Sequence, residues 1–535
     1  MTSSTYLRAA NQPPPLERYD LFSENRPLVE GLRREGGSHA EERCAEFGRL
    51  CGGEPLELGR LANEHPPVLR THDRFGERLD EVEFHPAWHE LLGLGVEHGL
   101  HALPWREHRG HVTRAALFMT LAYAEAGVGC PLSMTFASVP ALRAAPELAA
   151  EWEPRIVSTA YDPGLRAPPE KAGVLCGMAM TELRGGSDLR TNETRAEPAG
   201  DAYLLTGDKW FCSAPMCDAF LVLAQAPGGL TCFLLPRVLD DGSRNGFRID
   251  RLKDKLGNRS NASAEIRLEE ALAHRIGDEG RGVATIIEMV VHTRLDCTLG
   301  STALMRRAVA EATHHAAHRA AFGRLLADQP LMQNVLADLC LDSEAATATA
   351  LRLARAFDES DHAFRRLATA VCKYWVCKAT PPLVAEALEC LGGNGYVEES
   401  SLPRLYRESP VNSVWEGSGN VNCLDVLRAL EREPESLEAF RCELESARGG
   451  NRHLDVALDG LDAALDALDE AAARRLVERL ALCLQGSLLV RYAPAEVADA
   501  FCATRLGGEG GRAYGTLPGG VDTAAIVDRH RPSVG

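Results

Sequence analysis

The sequence predicts an α+β protein, mostly helical, in which a compact and largely antiparallel β domain lies between two helical regions. Three observations carry that reading. Short runs of β-type residues, VLCGMAMT, AYLLTGD, FLVLAQA, LTCFLLP and FRIDRL, crowd into residues 173–282, punctuated by Gly, Asp and Pro. The chain before them has helical patterning broken by punctuation such as Pro66-Pro67. The chain after them opens with Val283 to Phe322, which can form one helix of about 40 residues, roughly 60 Å long at about 1.5 Å per residue.

In chain order, residues 1–172 are expected to form an N-terminal helical domain, with segments such as Ala40 to Leu50 and Arg114 to Ala126 as helices. Residues 173–282 form the central β domain. Residues 283–430 form a C-terminal helical bundle, because so long a rod needs partners, and Leu331 to Phe357, Ala363 to Cys377 and Pro382 to Leu391 can supply them. Residues 431–535 are a helical extension. Its first helix places Leu454, Leu458, Leu461, Leu465 and Leu468 on one face. Asp455, Asp459, Asp462, Asp466 and Asp469 repeat that spacing one residue later, a solvated acidic face rather than a cation site. A second helix, Ala471 to Val490, carries Arg474, Arg475 and Arg479, and from Leu506 the chain is Gly-rich and reads as irregular.

Composition narrows the function. A length of 535 residues allows three to five structural units at about 100 to 200 residues each. The hydrophobic fraction of 45% and charged fraction of 25% are those of globular proteins. No stretch approaches the ~20 apolar residues that span a bilayer, and MTSSTYLRAANQPPP lacks the apolar core of a secretory signal, so a cytoplasmic protein is expected. The 16 cysteines include no C-x-x-C pair, which argues against zinc or a disulfide framework and for reduced, buried thiols. His314 and His318 stand one turn apart, but without the Glu of H-E-x-x-H and with Arg319 adjacent they read as a polar helix face, and no metal is assigned. A net charge of −18 repels polyanions.

Three local features could carry chemistry. Ser413 to Asn420, SVWEGSGN, sets a carboxylate between an indole and a Gly-Ser-Gly turn where a ligand can approach the backbone. Desolvated by Trp415, Glu416 could accept a proton; a surface Glu ahead of a helix starting at Ser418 fits the same letters. Met180 to Asp188, MTELRGGSD, reads as a strand end and a Gly-rich loop whose N–H groups and Thr181 and Ser187 hydroxyls could hold a phosphate or a polar ring edge, or as a plain turn. In GDKWFCSAP, Gly207 to Pro215, the aromatics before Ser213 could wall a flat heterocycle or fill a sheet core. Neither loop, nor LGGNGY from Leu391 to Tyr396, fits G-x-G-x-x-G after a strand, so a nicotinamide site on a Rossmann unit has no support.

Taken in order, MAMTELRGGSD, LTGDKWFCSAP, GDEGRGV, HRAAFGR, LECLGGNGYVEES and VWEGSGNVNCLDVLRAL resemble the acyl-CoA dehydrogenase superfamily. LELGRLANEHPP, FHPAWHELL, CPLSMTFASVPAL and YRESPVNSVWEGSGN are similar to its AidB branch, flavoproteins of the alkylation response, and the likeness spans nearly the whole chain, extension included. The resemblance implies a homotetramer built as a dimer of dimers, with FAD held between the β domain and the bundle. It assigns flavin contacts to Met180, Thr181, Gly186, Ser187 and Ser213, with Phe211 and Cys212 lining the same strand. Trp415, Gly417, Ser418 and Asn420 would face the cofactor from the bundle side, and Arg319, Gln329, Gly392 and Gly393 would reach the FAD of a neighbouring subunit.

Glu416 matches the commonest base position of the family. In some members the base instead precedes an Arg on the long bundle helix, but the residue before Arg294 is Thr293. The implied reaction is α-proton removal by Glu416 with β-hydride transfer to flavin N5. Trp415 narrowing the space above the flavin and Arg428 approaching the site would set this branch apart in substrate. The substrate is then an acyl-CoA, or a non-CoA biosynthetic or nitroalkane-like compound, with an electron-transfer flavoprotein or oxygen as acceptor. An alkylation-response role with DNA association is the alternative, disfavoured because residues 431–535 hold 12 basic and 18 acidic side chains, a net of −6.

Overall fold

The structure, a computed structural model, describes residues 11–466 and 469–533. Leu468 of the apolar stripe therefore lies outside the described residues. The chain divides into two compact units, Glu54–Gly300 with Trp415–Val421, and Ser301–Val414 with Asn422 onward and the described residues up to Gly53.

In the first of these units the expected β domain is a seven-stranded sheet, mainly antiparallel, with Cys176–Ala179 and Arg195–Ala199 pairing in parallel to Ala219–Ala226. Ala219–Ala226 also pairs with Gly229–Pro236, so the sheet curls back on itself. Its interior is filled by Leu205, Phe220, Val222, Phe233, Ile249, Ile266 and other buried side chains. Two strands of this sheet, Arg195–Ala199 and Ser263–Ile276, escape the sequence reading. The longer, Ser263–Ile276, carries Glu and Arg on its open face and a bulge at Glu270, whose φ is +50°, so its alternation is interrupted. A hairpin, Val68–His72 with Arg78–Glu83, likewise interrupts the helices read before Tyr161.

Every residue of the helix Gly110–Ala124 is buried, and so is nearly every residue of Gly129–Leu142, which explains why neither shows a polar stripe. Arg114 on the first donates to both carboxylate oxygens of Asp296 at 2.6 and 2.7 Å, and Thr135 on the second accepts from Cys176 N. The predicted long helix runs Gly282–His318, its residues through Gly300 belonging to this unit and the rest to the other.

The other unit is helical. Pro330–Asp358 matches expectation, but the two helices read over residues 363–391 are one, His362–Cys390, passing through Pro381 and Pro382. Val376, Cys377, Thr380, Leu383 and Val384 are buried on both sides of the prolines, and that packing outweighs the missing N–H groups. The apolar stripe of the extension is divided between Arg452–Asp459 and Leu461–Asp466. At the break, Arg479 Nη2 donates to Ala457 O at 3.1 Å, and a Cβ on Gly460 would meet that nitrogen at 2.1 Å. Beyond Leu506 the irregular stretch ends in an unforeseen helix, Thr523–His530, held where Glu344 accepts from Arg529 and His530. Among the described residues all cysteines but Cys442 are buried, and no helix is long and apolar enough to cross a membrane.

Candidate active site

The Gly-rich loop is built on a buried ion pair. Glu182 accepts from Glu193 N at 2.5 Å, Thr194 Oγ1 at 2.6 Å and Lys209 Nζ at 2.6 Å, and Lys209 also donates to Leu223 O at 2.7 Å. Burial alone would raise the proton affinity of Glu182. The ammonium and the hydrogen-bond donors outweigh it and hold the carboxyl below its usual range. Asn192 Nδ2 donates to Met180 O and Trp210 N to Thr181 O, both at 2.8 Å, so the main chain ahead of the loop is fixed from two sides.

On that support Gly186 and Ser187 are exposed and Thr181 is half-buried. The hydroxyls of Thr181 and Ser187 have no partner among the described residues. A Cβ on Gly186 would stand 3.1 Å from Thr181 Cγ2, so glycine keeps the lip between them open. Ser213 is half-buried with its Oγ 3.5 Å from Ser263 Oγ. Cys212 is fully buried, while Phe211, 47% exposed, lies 4.6 Å under Lys253 Nζ at a bulge between Lys209 and Cys212.

Glu416 belongs to the same compact unit and is half-buried in a left-handed conformation, φ +56°, followed by Gly417 at +92°. For a residue other than Gly this backbone is unusual and needs holding. Two successive residues of the long helix hold it. Arg294 Nε donates to Glu416 O at 3.0 Å, and Thr293 Oγ1 donates to Glu416 Oε2 at 2.7 Å while lying 3.1 Å from Val290 O.

The same surroundings contain residues that motif reading missed. The Cys130 thiol, pushed up to about 12 chiefly by burial, feels both Lys255 and Glu416 and has Asn261 and Ser213 beside it. It is therefore a neutral thiol at ordinary pH. Lys255 Nζ donates to Asn261 O at 2.8 Å and Ser263 Oγ at 3.1 Å. The Asn261 amide is 1% exposed, and neither its oxygen nor its nitrogen has a hydrogen-bond partner. An amide so buried costs about 1–3 kcal/mol until a polar ligand reaches it. The signal in the sequence was the loop GNRSNAS, where Asn258 has φ +53°.

Of the remaining predicted residues, Trp415, Ser418 and Asn420 share the unit of Glu416, while Arg319, Gln329, Gly392, Gly393 and Arg428 lie in the other. Arg319 Nη1 donates to Asn11 O at 2.6 Å and Gln329 Nε2 to Ala321 O at 2.9 Å, around a hairpin whose tip, Phe322, is 97% exposed. Gly392 and Gly393 are exposed, with nothing within 4 Å of a Cβ placed on either. Arg428 is exposed, 3.7 Å from Asp425, which also accepts from Arg366. Trp415 and Ser418 are half-buried and Asn420 exposed.

Comparison with known proteins gives consistent matches along the chain. Residues 11–163 match the adaptive response protein AidB N-terminal domain, residues 177–271 the acyl-CoA dehydrogenase middle domain, and residues 280–431 the acyl-CoA dehydrogenase C-terminal domain. The chain is 46% identical to the putative acyl-CoA dehydrogenase AidB of Escherichia coli K12 over 94% of each. It is 34% identical to acyl-CoA dehydrogenase family member 11 of Caenorhabditis elegans, over 77% of this chain and 70% of that one. The crystal structure of C. elegans ACDH-11 in complex with C11-CoA superposes with a TM-score of 0.85 at 28% identity, covering 93% of this chain and 92% of the other.

Proposed function

This chain belongs to the acyl-CoA dehydrogenase family, on its AidB-like branch, and on that premise we propose that Glu416 is the base that removes the proton next to an activated carbonyl. One observation carries the reading: a half-buried carboxylate is held by its side chain and its main chain at once, in the compact unit that also carries Thr181, Ser187 and Ser213. The group implied for that surface is FAD. The free hydroxyls of Thr181 and Ser187, the open lip at Gly186 and the unpaired Asn261 amide suit a ligand with a polar ring edge. Met180, Thr181, Gly186, Ser187 and Ser213 would hold it, with Gly417, Ser418 and Asn420 from the EGSGN turn. When bound, FAD supplies the acceptor for the β-hydride.

Within that chemistry, Thr293 and Arg294 fix where the carboxylate stands, Glu416 carries the α-proton away, and Trp415 contacts substrate; Arg428, for which the resemblance implies the same role, lies in the other unit. In a homotetramer Arg319, Gln329, Gly392 and Gly393 would reach the cofactor of a second copy. An acyl-CoA substrate is supported by the C11-CoA bound to the C. elegans relative. The setting is a cytoplasmic enzyme that passes its electrons to a flavoprotein partner or to oxygen.

Anaerobic titration of the FAD-loaded protein with saturated acyl-CoA esters of graded length tests this. Bleaching of the flavin by at least one ester is expected, and Glu416→Gln should keep FAD yet lose the bleaching. A Glu416→Gln protein that reduces its flavin at the wild-type rate removes the role given to Glu416. Bleaching by a nitroalkane and by none of the esters would move the substrate outside CoA thioesters.

A further inference from the structure

The hydroxyl of Thr293 has one proton and two acceptors. Its Oγ1 lies 2.7 Å from Glu416 Oε2 and 3.1 Å from the carbonyl oxygen of Val290, one turn back on the same helix. The first distance is that of a charge-assisted O–H···O⁻ bond; the second is longer than such bonds usually are. Thr293 is itself buried, so water does not compete freely for that proton. Arg294, the next residue, donates through Nε to the main-chain oxygen of Glu416. The two neighbours thus divide the work: one sets the backbone and the other addresses the group that changes charge.

Resting on the reading of Glu416 as the base, we propose that Thr293 is its positioning residue. The Thr293 hydroxyl donates to the carboxylate while Glu416 is ionised, and turns to Val290 O once Glu416 has taken up a proton. In the protonated state Glu416 donates to Thr293 Oγ1, and Thr293 donates to Val290 O. No proton leaves Thr293 in either state; its bond to Glu416 reverses direction and its bond to Val290 O forms. The carboxyl therefore stays at one address through both halves of a turnover, which a donor without a second acceptor could not achieve.

A donor aimed at the ionised form lowers proton affinity, so removing it should raise it. Charged and titratable groups near Glu416 include Arg294 on the same helix as Thr293, Cys130 on Gly129–Leu142, and Lys255, which acts on that thiol from the loop before Ser263–Ile276. Cys130, pushed up to about 12, stays neutral across the range of interest, and the substitution at Thr293 removes none of these groups, so a shift observed between variants is assigned to the Thr293 hydroxyl.

The test is an infrared pH titration of the FAD-loaded protein without substrate, with the carboxyl band of Glu416 assigned by its loss in Glu416→Gln. Thr293→Val, close in shape and lacking the hydroxyl, should move the midpoint of that band up by about one pH unit, a tenfold gain in proton affinity. Thr293→Ser should return it to the wild-type value. The acid limb of flavin reduction by whichever ester bleaches the wild type should move in parallel. An unchanged midpoint in a Thr293→Val protein that retains FAD and its far-ultraviolet circular dichroism overturns the proposal. Flavin bleaching that survives Glu416→Gln would instead overturn the base assignment, so the two failures read out separately. Should Thr293→Val not fold, an unmoved midpoint in Thr293→Ala decides against the role in its place.

Discussion

Lys209 donates through Nζ to Glu182 Oε1 at 2.6 Å, with both side chains closed to solvent, and this pair carries the loop that ends in Ser187. Removing one partner strands a buried charge, which costs about 3–5 kcal/mol, whereas removing both costs far less. Lys209→Met alone should therefore lower the unfolding midpoint steeply and release FAD, and Lys209→Met with Glu182→Leu should recover much of the stability. Denaturant titrations of the three proteins give the comparison; a double variant no better than the single one contradicts it.

His101 supplies a pH dependence. It is buried, its Nε2 lies 2.9 Å from Ser158 O, and burial pushes its pKa down to about 4. Between about 6.5 and 4 the unfolded chain binds a proton here that the folded chain refuses. Stability from this group is thus complete above about 6.5 and is lost as pH falls toward 4, by about 3 kcal/mol in all. His101→Gln should flatten the decline in unfolding free energy between pH 7 and pH 5, measured by urea denaturation; an equally steep decline rejects the account.

The unpaired amide of Asn261 sets stability against ligand binding. Asn261→Leu should raise the melting temperature of the flavin-free protein, by about 1 kcal/mol in stability, because a buried group without a partner is removed. The FAD-loaded protein should gain nothing and bind its ligands more weakly. Paired thermal melts decide it, and equal gains in both forms would show that the amide faces no ligand.

Electrostatics predict the behaviour toward nucleic acid. The extension carries a net of −6, Arg491 is engaged by Glu443 and Arg479 by Ala457 O, so half of the four arginines of its second helix are tied up within the extension, while Arg474 and Arg475 are exposed. Duplex DNA should not shift at low salt in an electrophoretic assay. Tight binding that falls steeply with added salt would contradict this.

The long helix was legible because Gly282–His318 holds no proline and alternates apolar with polar residues at helical spacing, and the Cys212 and Phe211 strand because aromatic residues cluster in it between turn signals. Ser263–Ile276 was not, since a bulge breaks its period and its charged face imitates a helix. Pro381-Pro382 misled in the opposite direction, a local rule yielding to packing that no local window contains. At the site, Glu416 and the Gly-rich loop stand out as motifs. Thr293, Lys255, Asn261 and Cys130 lie more than 100 residues before Glu416 in the chain, and distance in sequence hides that neighbourhood. In the sequence Thr293 marks only the position where an alternative base is missing; in the fold its hydroxyl touches Glu416 itself.

Every thiol among the described residues is enclosed except that of Cys442, on the helix Pro434–Glu445. A maleimide dye added to the native chain should consequently attach at a single address without any prior mutagenesis. That address sits in the extension, in the unit that does not carry Glu416, so a fluorophore there could follow the tail while absorbance follows the flavin.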